Sequence, residues 1–132
     1  MTNIDEIKAE IEAGWEKRAE LSPTKQIGKV GEAVQSALNL LDSGQARVAT
    51  RDTNGVWTTH DWLKKAVLLS FRLSPNMLFR DDNVSIPTFA NHWDKVFLKT
   101  GAWGAGEFEA AGFRSVPGAV ARYGSFIGKN VV

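Results

Sequence analysis

The chemistry open to this chain is set first by what it lacks. It has no cysteine and two histidines. Thiol nucleophiles, disulfide scaffolds and cysteine-based zinc or iron sites are therefore excluded, and no metal site is expected. His60 and His92 are the candidates for a general base near neutral pH. His60 stands beside Asp61 at a helix start, where a polar residue needs no catalytic reason. His92 adjoins Trp93 in a segment without periodicity. Neither is given a catalytic role. The pairs Asp81-Asp82 and Glu107/Glu109 do not form an acid/base arrangement, and Asp81-Asp82-Asn83 reads as a turn. Glycines 101, 104 and 106 lack the preceding strand and following long helix of a phosphate cradle.

The cations offer more. Lys64-Lys65 could meet phosphates, although two lysines on the wet side of a helix are more commonly a solvated face. Arg72 falls at a helix C-terminus, where its charge suits the dipole and an ion pair with Asp94 is the plainer role. Arg114, in Gly112-Phe113-Arg114, offers a guanidinium fork that pairs bidentately with a carboxylate; a salt bridge at a domain junction is the competing reading. Trp15, Trp57 and Trp62 have no basic stripe beside them, so they read as core or subunit-contact rings and not as base-stacking platforms.

Four kinds of element must position these side chains. Ile4, Ile7, Ile11, Trp15 and Ala19 recur at helical spacing over residues 4–19, with Asn3 as cap. A second helix is predicted over 28–43, its stripe formed by Val30, Val34, Ala37, Leu38 and Leu41, with Gly44 just past its end. Residues 47–51 and 56–58 flank Asp52-Thr53-Asn54-Gly55 and predict a hairpin. Thr59 is placed to cap a third helix over 60–72, whose broad apolar content predicts a central helix buried on most sides. Residues 73–104 are dominated by loop signals, with 85–89 or 93–97 as possible edge strands, and 107–111 reads as one or two helical turns.

Composition bounds the rest. The 132 residues carry a formal charge of +1, with 43% hydrophobic and 23% charged residues. That describes one ordinary globular domain, without the basic excess of a nucleic-acid binder. No run approaches the roughly 18 apolar residues of a membrane span, and the first ten residues do not read as a secretory leader. A cytoplasmic location is expected.

The last stretch carries a different period. Val120, Phe126 and Val132 fall at intervals of six, with Gly124 and Asn130 at the fifth position of successive hexads. Six is the period of a parallel β-helix, in which every sixth side chain stacks inside the coil. One turn buries too little to stand alone, so the chain is expected to lead into a second domain.

Five stretches together resemble a known family: Leu40-Leu41-Asp42-Ser43-Gly44, Arg47-Val48-Ala49, the eleven residues from Trp62 to Arg72, Asp94-Lys95-Val96, and Ala111 to Arg122. They resemble the N-terminal domain of 2,3,4,5-tetrahydropyridine-2,6-dicarboxylate N-succinyltransferase, over about residues 4–132. Leu98 and the 101–106 run depart from the family's usual Pro-x-Lys-Phe pattern. The resemblance implies an α+β fold: a mainly helical domain with a small β-hairpin over 1–114, then, from 115–132, the first coil of a left-handed parallel β-helix. It implies transfer of a succinyl group from succinyl-CoA, a co-substrate and not a tightly bound cofactor, to the amine of L-2-amino-6-oxopimelate. It implies a homotrimer with active sites between subunits; the charge balance and the lack of a long apolar run lead one to expect no nucleic-acid or membrane partner. Arg114 matches the family's contact to the dicarboxylate. Arg72, Lys64 and Lys65 are secondary candidates for binding, and the family's catalytic acid has no counterpart within these residues.

Overall fold

Three amphipathic helices place their apolar stripes against one another. The computed structural model describes residues 3–79 and 92–132. Helix α1 spans Ile4–Glu16 and is capped by Asn3, whose Oδ1 accepts the Asp5 N–H at 3.1 Å. It stops short of the predicted residue 19: the chain tightens into a 3-10 turn at Arg18–Glu20. Helix α2 spans Val30–Asp42 and ends as its glycine demands, Gly44 taking a φ of 75° that a side chain would resist. Helix α3 spans Asp61–Leu73. All three pack pairwise, burying Ile7, Ile11, Val30, Ala37, Leu63, Ala66 and Leu69. Gly14 lets α1 approach α2 closely, since a Cβ there would collide with Val30.

Two predictions about α3 need correction. Thr59 belongs to a strand, and the N-cap is His60, which makes no side-chain cap bond. The helix is also less enclosed than its composition suggested: Leu68 is 41% exposed. With only α1, α2 and short hairpins to cover it, one face is buried and the other is open.

The predicted hairpin is present. Strands β1 (Ala49–Arg51) and β2 (Trp57–Thr59) pair antiparallel, with Thr50 opposite Thr58. Asp52 Oδ1 closes the turn by accepting the Asn54 and Val56 N–H groups, both at 2.8 Å. A second hairpin escaped the sequence reading: β3 (Met77–Phe79) pairs with β4 (His92–Asp94). The alternative edge strand at 85–89 lies outside the described residues. Helix α4, Ala105–Ala111, begins two residues earlier than expected.

Residues 115–132 form no parallel coil of strands. The six-residue period survives as turns: Gly118, Gly124 and Asn130 have φ of 93°, 98° and 65°. Val120, Phe126 and Val132 are all exposed, where interior stacking was expected. The segment folds back onto α2, where Gly124 N–H donates to Asp42 Oδ1, and onto the loop that carries Phe97 and Lys99. Lys99 N–H donates to Ala121 O and Tyr123 N–H to Phe97 O, both at 2.8 Å.

Candidate functional site

The side chains singled out by their chemistry stand at separate places. Lys64 is exposed on α3. Lys65, next along, forms a partly buried ion pair with Glu12, so its charge ties α3 to α1. Arg72 lies exposed in the last turn of α3. Asp94, its expected partner, instead accepts from Arg122 Nη2 at 2.8 Å. His60 Nε2 lies 2.8 Å from Thr50 Oγ1, joining the first hairpin to the start of α3. His92 faces Phe79 across the second hairpin. The His60 imidazole thus ties two elements together, and His92 is exposed.

Arg114 is held differently. Gly112 ends α4 in the left-handed conformation, φ 72°, and its N–H bonds Phe108 O at 2.9 Å. Phe113 then turns inward and is 7% exposed. Its ring lies 5.7 Å from that of Trp103 and 6.0 Å from that of Phe108, with Trp103 and Phe108 edge to face at 5.2 Å. On the other side Arg114 N–H donates to Val131 O at 3.0 Å, and Asn130 N–H to Gly112 O at 2.7 Å. The side chain of Arg114 itself is exposed. A guanidinium anchored at its root and open to solvent is suited to a carboxylate arriving from outside.

A buried charge pair that the sequence reading missed lies beside this arrangement. Lys99 Nζ donates to Asp42 Oδ1 at 2.9 Å and to Asp42 O at 3.1 Å. The lysine side chain is 6% exposed and the aspartate 20%. Asp42 Oδ1 also accepts the Gly124 N–H at 3.0 Å. Lys99 Nζ sits 5.8 Å from the Trp103 ring centroid, within cation–π reach. Asp42, Lys99, Trp103 and Phe113 line one cleft of about 340 Å³. Nearby, Tyr123 donates its hydroxyl to Asn39 Oδ1 at 2.6 Å. Burial, and then the Asp42 charge, push the Tyr123 phenol above its ordinary pKa.

The only hint in the sequence was that Asp42 lies within the Leu40–Gly44 stretch. Its lysine partner comes 57 residues later, from a loop without periodicity, so no local pattern could link them.

A family model described as tetrahydrodipicolinate N-succinyltransferase N-terminal matches residues 6–73. The chain belongs to this family. The matched stretch ends at Leu73, the last residue of α3, and takes in most of α1 and all of α2, the first hairpin and α3. Curated relatives extend the match. The 2,3,4,5-tetrahydropyridine-2,6-dicarboxylate N-succinyltransferase of Caulobacter vibrioides is 53% identical over 127 residues, covering 96% of this chain and 45% of that protein. Its namesake in Methylobacterium nodulans is 55% identical over 117 residues, 89% of this chain and 40% of the relative. The Sinorhizobium medicae protein of the same name is 48% identical over 134 residues, covering 100% of this chain and 45% of its own length. The chain thus spans a little under half the length of the curated relatives it matches.

Among the described residues, no helix of the chain is long and apolar enough to cross a membrane. No group of three or more histidines or acids among them could hold a metal ion.

Proposed function

We propose that this chain is the acceptor-holding part of an acyltransferase that moves succinyl from succinyl-CoA to the amine of L-2-amino-6-oxopimelate, in diaminopimelate and lysine biosynthesis. The observation that carries the reading is the 53% identity over 127 residues to a protein named for N-succinyl transfer to a cyclic dicarboxylate. Arg114 supplies the matching chemistry, an exposed guanidinium for one carboxylate of the acceptor. In the reaction the acceptor's unprotonated amine attacks the thioester carbonyl. The new N–C bond forms, the C–S bond breaks, and CoA leaves as a thiolate that takes up a proton when the amine gives one up. Arg114 holds the acceptor so that its nitrogen faces the thioester. No residue of this chain is assigned the role of base, and Arg72, Lys64 and Lys65 are secondary contacts to the anionic substrates. Lys65 contributes least, being committed to Glu12.

On this reading residues 1–114 form the helical domain and 115–132 open a left-handed parallel β-helix. Two observations support it. The left-handed turns at 118, 124 and 130 recur every six residues. The bonds joining Asn130 to Gly112 and Arg114 to Val131 link backbone groups eighteen and seventeen residues apart, as expected where a three-sided coil of hexads returns to its first face. The protein acts as a cytoplasmic homotrimer with sites between subunits. Trp57 and Trp93, 66% and 68% exposed, supply apolar surface for such contacts.

The test is thiol release from succinyl-CoA. The complete protein is expected to turn over with the aminopimelate acceptor and not with serine, while the 132-residue segment alone stays at background. Turnover with serine in place of the aminopimelate would assign a different acceptor. Turnover by the segment alone would overturn the division of labour.

A further inference from the structure

We propose that the buried Asp42–Lys99 pair, acting through Trp103 and Phe113, is a positioning device for Arg114. The inference rests on the reading of Arg114 as the acceptor's carboxylate contact. Lys99 is a charged residue with 6% of its side chain exposed, and its ammonium gives both of its described hydrogen bonds to Asp42 at the end of α2. Its Nζ faces the Trp103 ring at 5.8 Å. Trp103 in turn packs against Phe108 and Phe113. Phe113 is the buried residue whose successor is Arg114. A continuous set of contacts therefore runs from the helical bundle to the root of the guanidinium.

The charge pair is a poor choice if packing were its only purpose. Desolvating two charges consumes most of their attraction, and a well-packed apolar substitute commonly stabilises a protein equally well. A buried pair does impose direction. Lys99 can satisfy its ammonium in this pocket only where the Asp42 carboxylate and carbonyl both lie within reach. That restricts the loop carrying Trp103 to one placement over Phe113. Asp42 adds a second tie through Gly124 N–H, so one carboxylate registers both the loop and the terminal segment on α2. Transfer requires the acceptor amine in a near-attack position, and misplacement of the group that holds it weakens the reaction far more than it weakens the fold.

Steady-state kinetics on the complete enzyme provide the test, with Arg114→Ala as reference. The double variant Asp42→Asn/Lys99→Met removes both charges, keeps side-chain volume and leaves an oxygen for Gly124. It is expected to keep its melting temperature and its KM for succinyl-CoA while the acceptor KM rises about tenfold. Trp103→Leu, which leaves the ion pair intact, is expected to raise the acceptor KM in the same way, and it decides the matter if the double variant does not fold. If Arg114→Ala raises the acceptor KM and neither the double variant nor Trp103→Leu does, the inference is overturned and the reading of Arg114 stands. If Arg114→Ala itself leaves the acceptor KM unchanged, or the complete protein shows no succinyl-CoA-dependent turnover, the reading of Arg114 fails and the inference fails with it.

Discussion

Phe126 lies so close to Gly44 that a methyl group on the glycine would sit 2.7 Å from the ring, and Arg47 covers the same ring with its guanidinium 4.2 Å from the centroid. The residue that ends α2 is thus also the floor on which the terminal segment rests. Gly44→Ala combines two costs, a left-handed φ of 75° and displacement of Phe126. Together these are expected to destabilise the chain by about 1–3 kcal/mol. Thermal unfolding of the 132-residue chain checks this. An unchanged midpoint would show that Phe126 does not rest on Gly44 in solution.

The legible parts of the fold were those with local periodicity or local turn chemistry. Ile7, Ile11, Val34, Ala37 and Leu41 announced their helices because a 3.6-residue period places them on one face. Asn54-Gly55 announced the first hairpin. The second hairpin was hidden because Met77–Phe79 and His92–Asp94 are three-residue strands separated by a long connection, too short to show the alternation that would pair them across the Asp81-Asp82-Asn83 turn signal. The boundary at Glu16 was missed because Ala19 continued the stripe on paper, while in the fold it is exposed in the 3-10 turn. The hexad period recurs in the fold as left-handed turns at 118, 124 and 130, without the interior stacking of Val120 and Val132 that it predicted. A six-residue repeat fixes where the chain turns, whereas burial of Val120 and Val132 needs neighbours to stack on. Of the site, Arg114 stood out through resemblance. Lys99 did not, since a lysine earns notice only once its buried partner is known.

Tyr123 is the single tyrosine of the chain, so its ionisation can be followed by absorbance without ambiguity. Burial and the Asp42 charge raise its pKa above the ordinary 10. The phenolate midpoint is therefore expected above 10 in the folded chain and near 10 when unfolded. Because the folded value is the higher one, this contribution to stability is fully present below pH 10 and is lost as pH rises through the folded pKa. Tyr123→Phe removes that alkaline dependence and the bond to Asn39, at a cost of about 1 kcal/mol. A midpoint at or below 10 in the native chain would contradict the placement of the phenol.

Glu107 gives the opposite sign at the other end of the pH scale. Its carboxylate accepts from its own backbone N–H and from that of Gly104, the latter at 2.8 Å, and both hold its pKa below 4.5. The stabilisation of the α4 N-terminus is present above about pH 4.5 and lost as pH falls through the lower folded value. The Gly104 amide resonance is expected to titrate with a midpoint below 4.5 and to stop titrating in Glu107→Gln. A Gly104 amide indifferent to acid in the parent chain would remove the cap.

The most direct test of the central claim is the acceptor KM of the complete enzyme carrying Arg114→Ala. A guanidinium that holds a substrate carboxylate contributes roughly 1.5–3 kcal/mol, so the acceptor KM is expected to rise roughly 10- to 100-fold while the KM for succinyl-CoA stays unchanged. An acceptor KM equal to that of the parent enzyme would contradict the account, because the exposed arginine at the junction would then hold nothing that reacts.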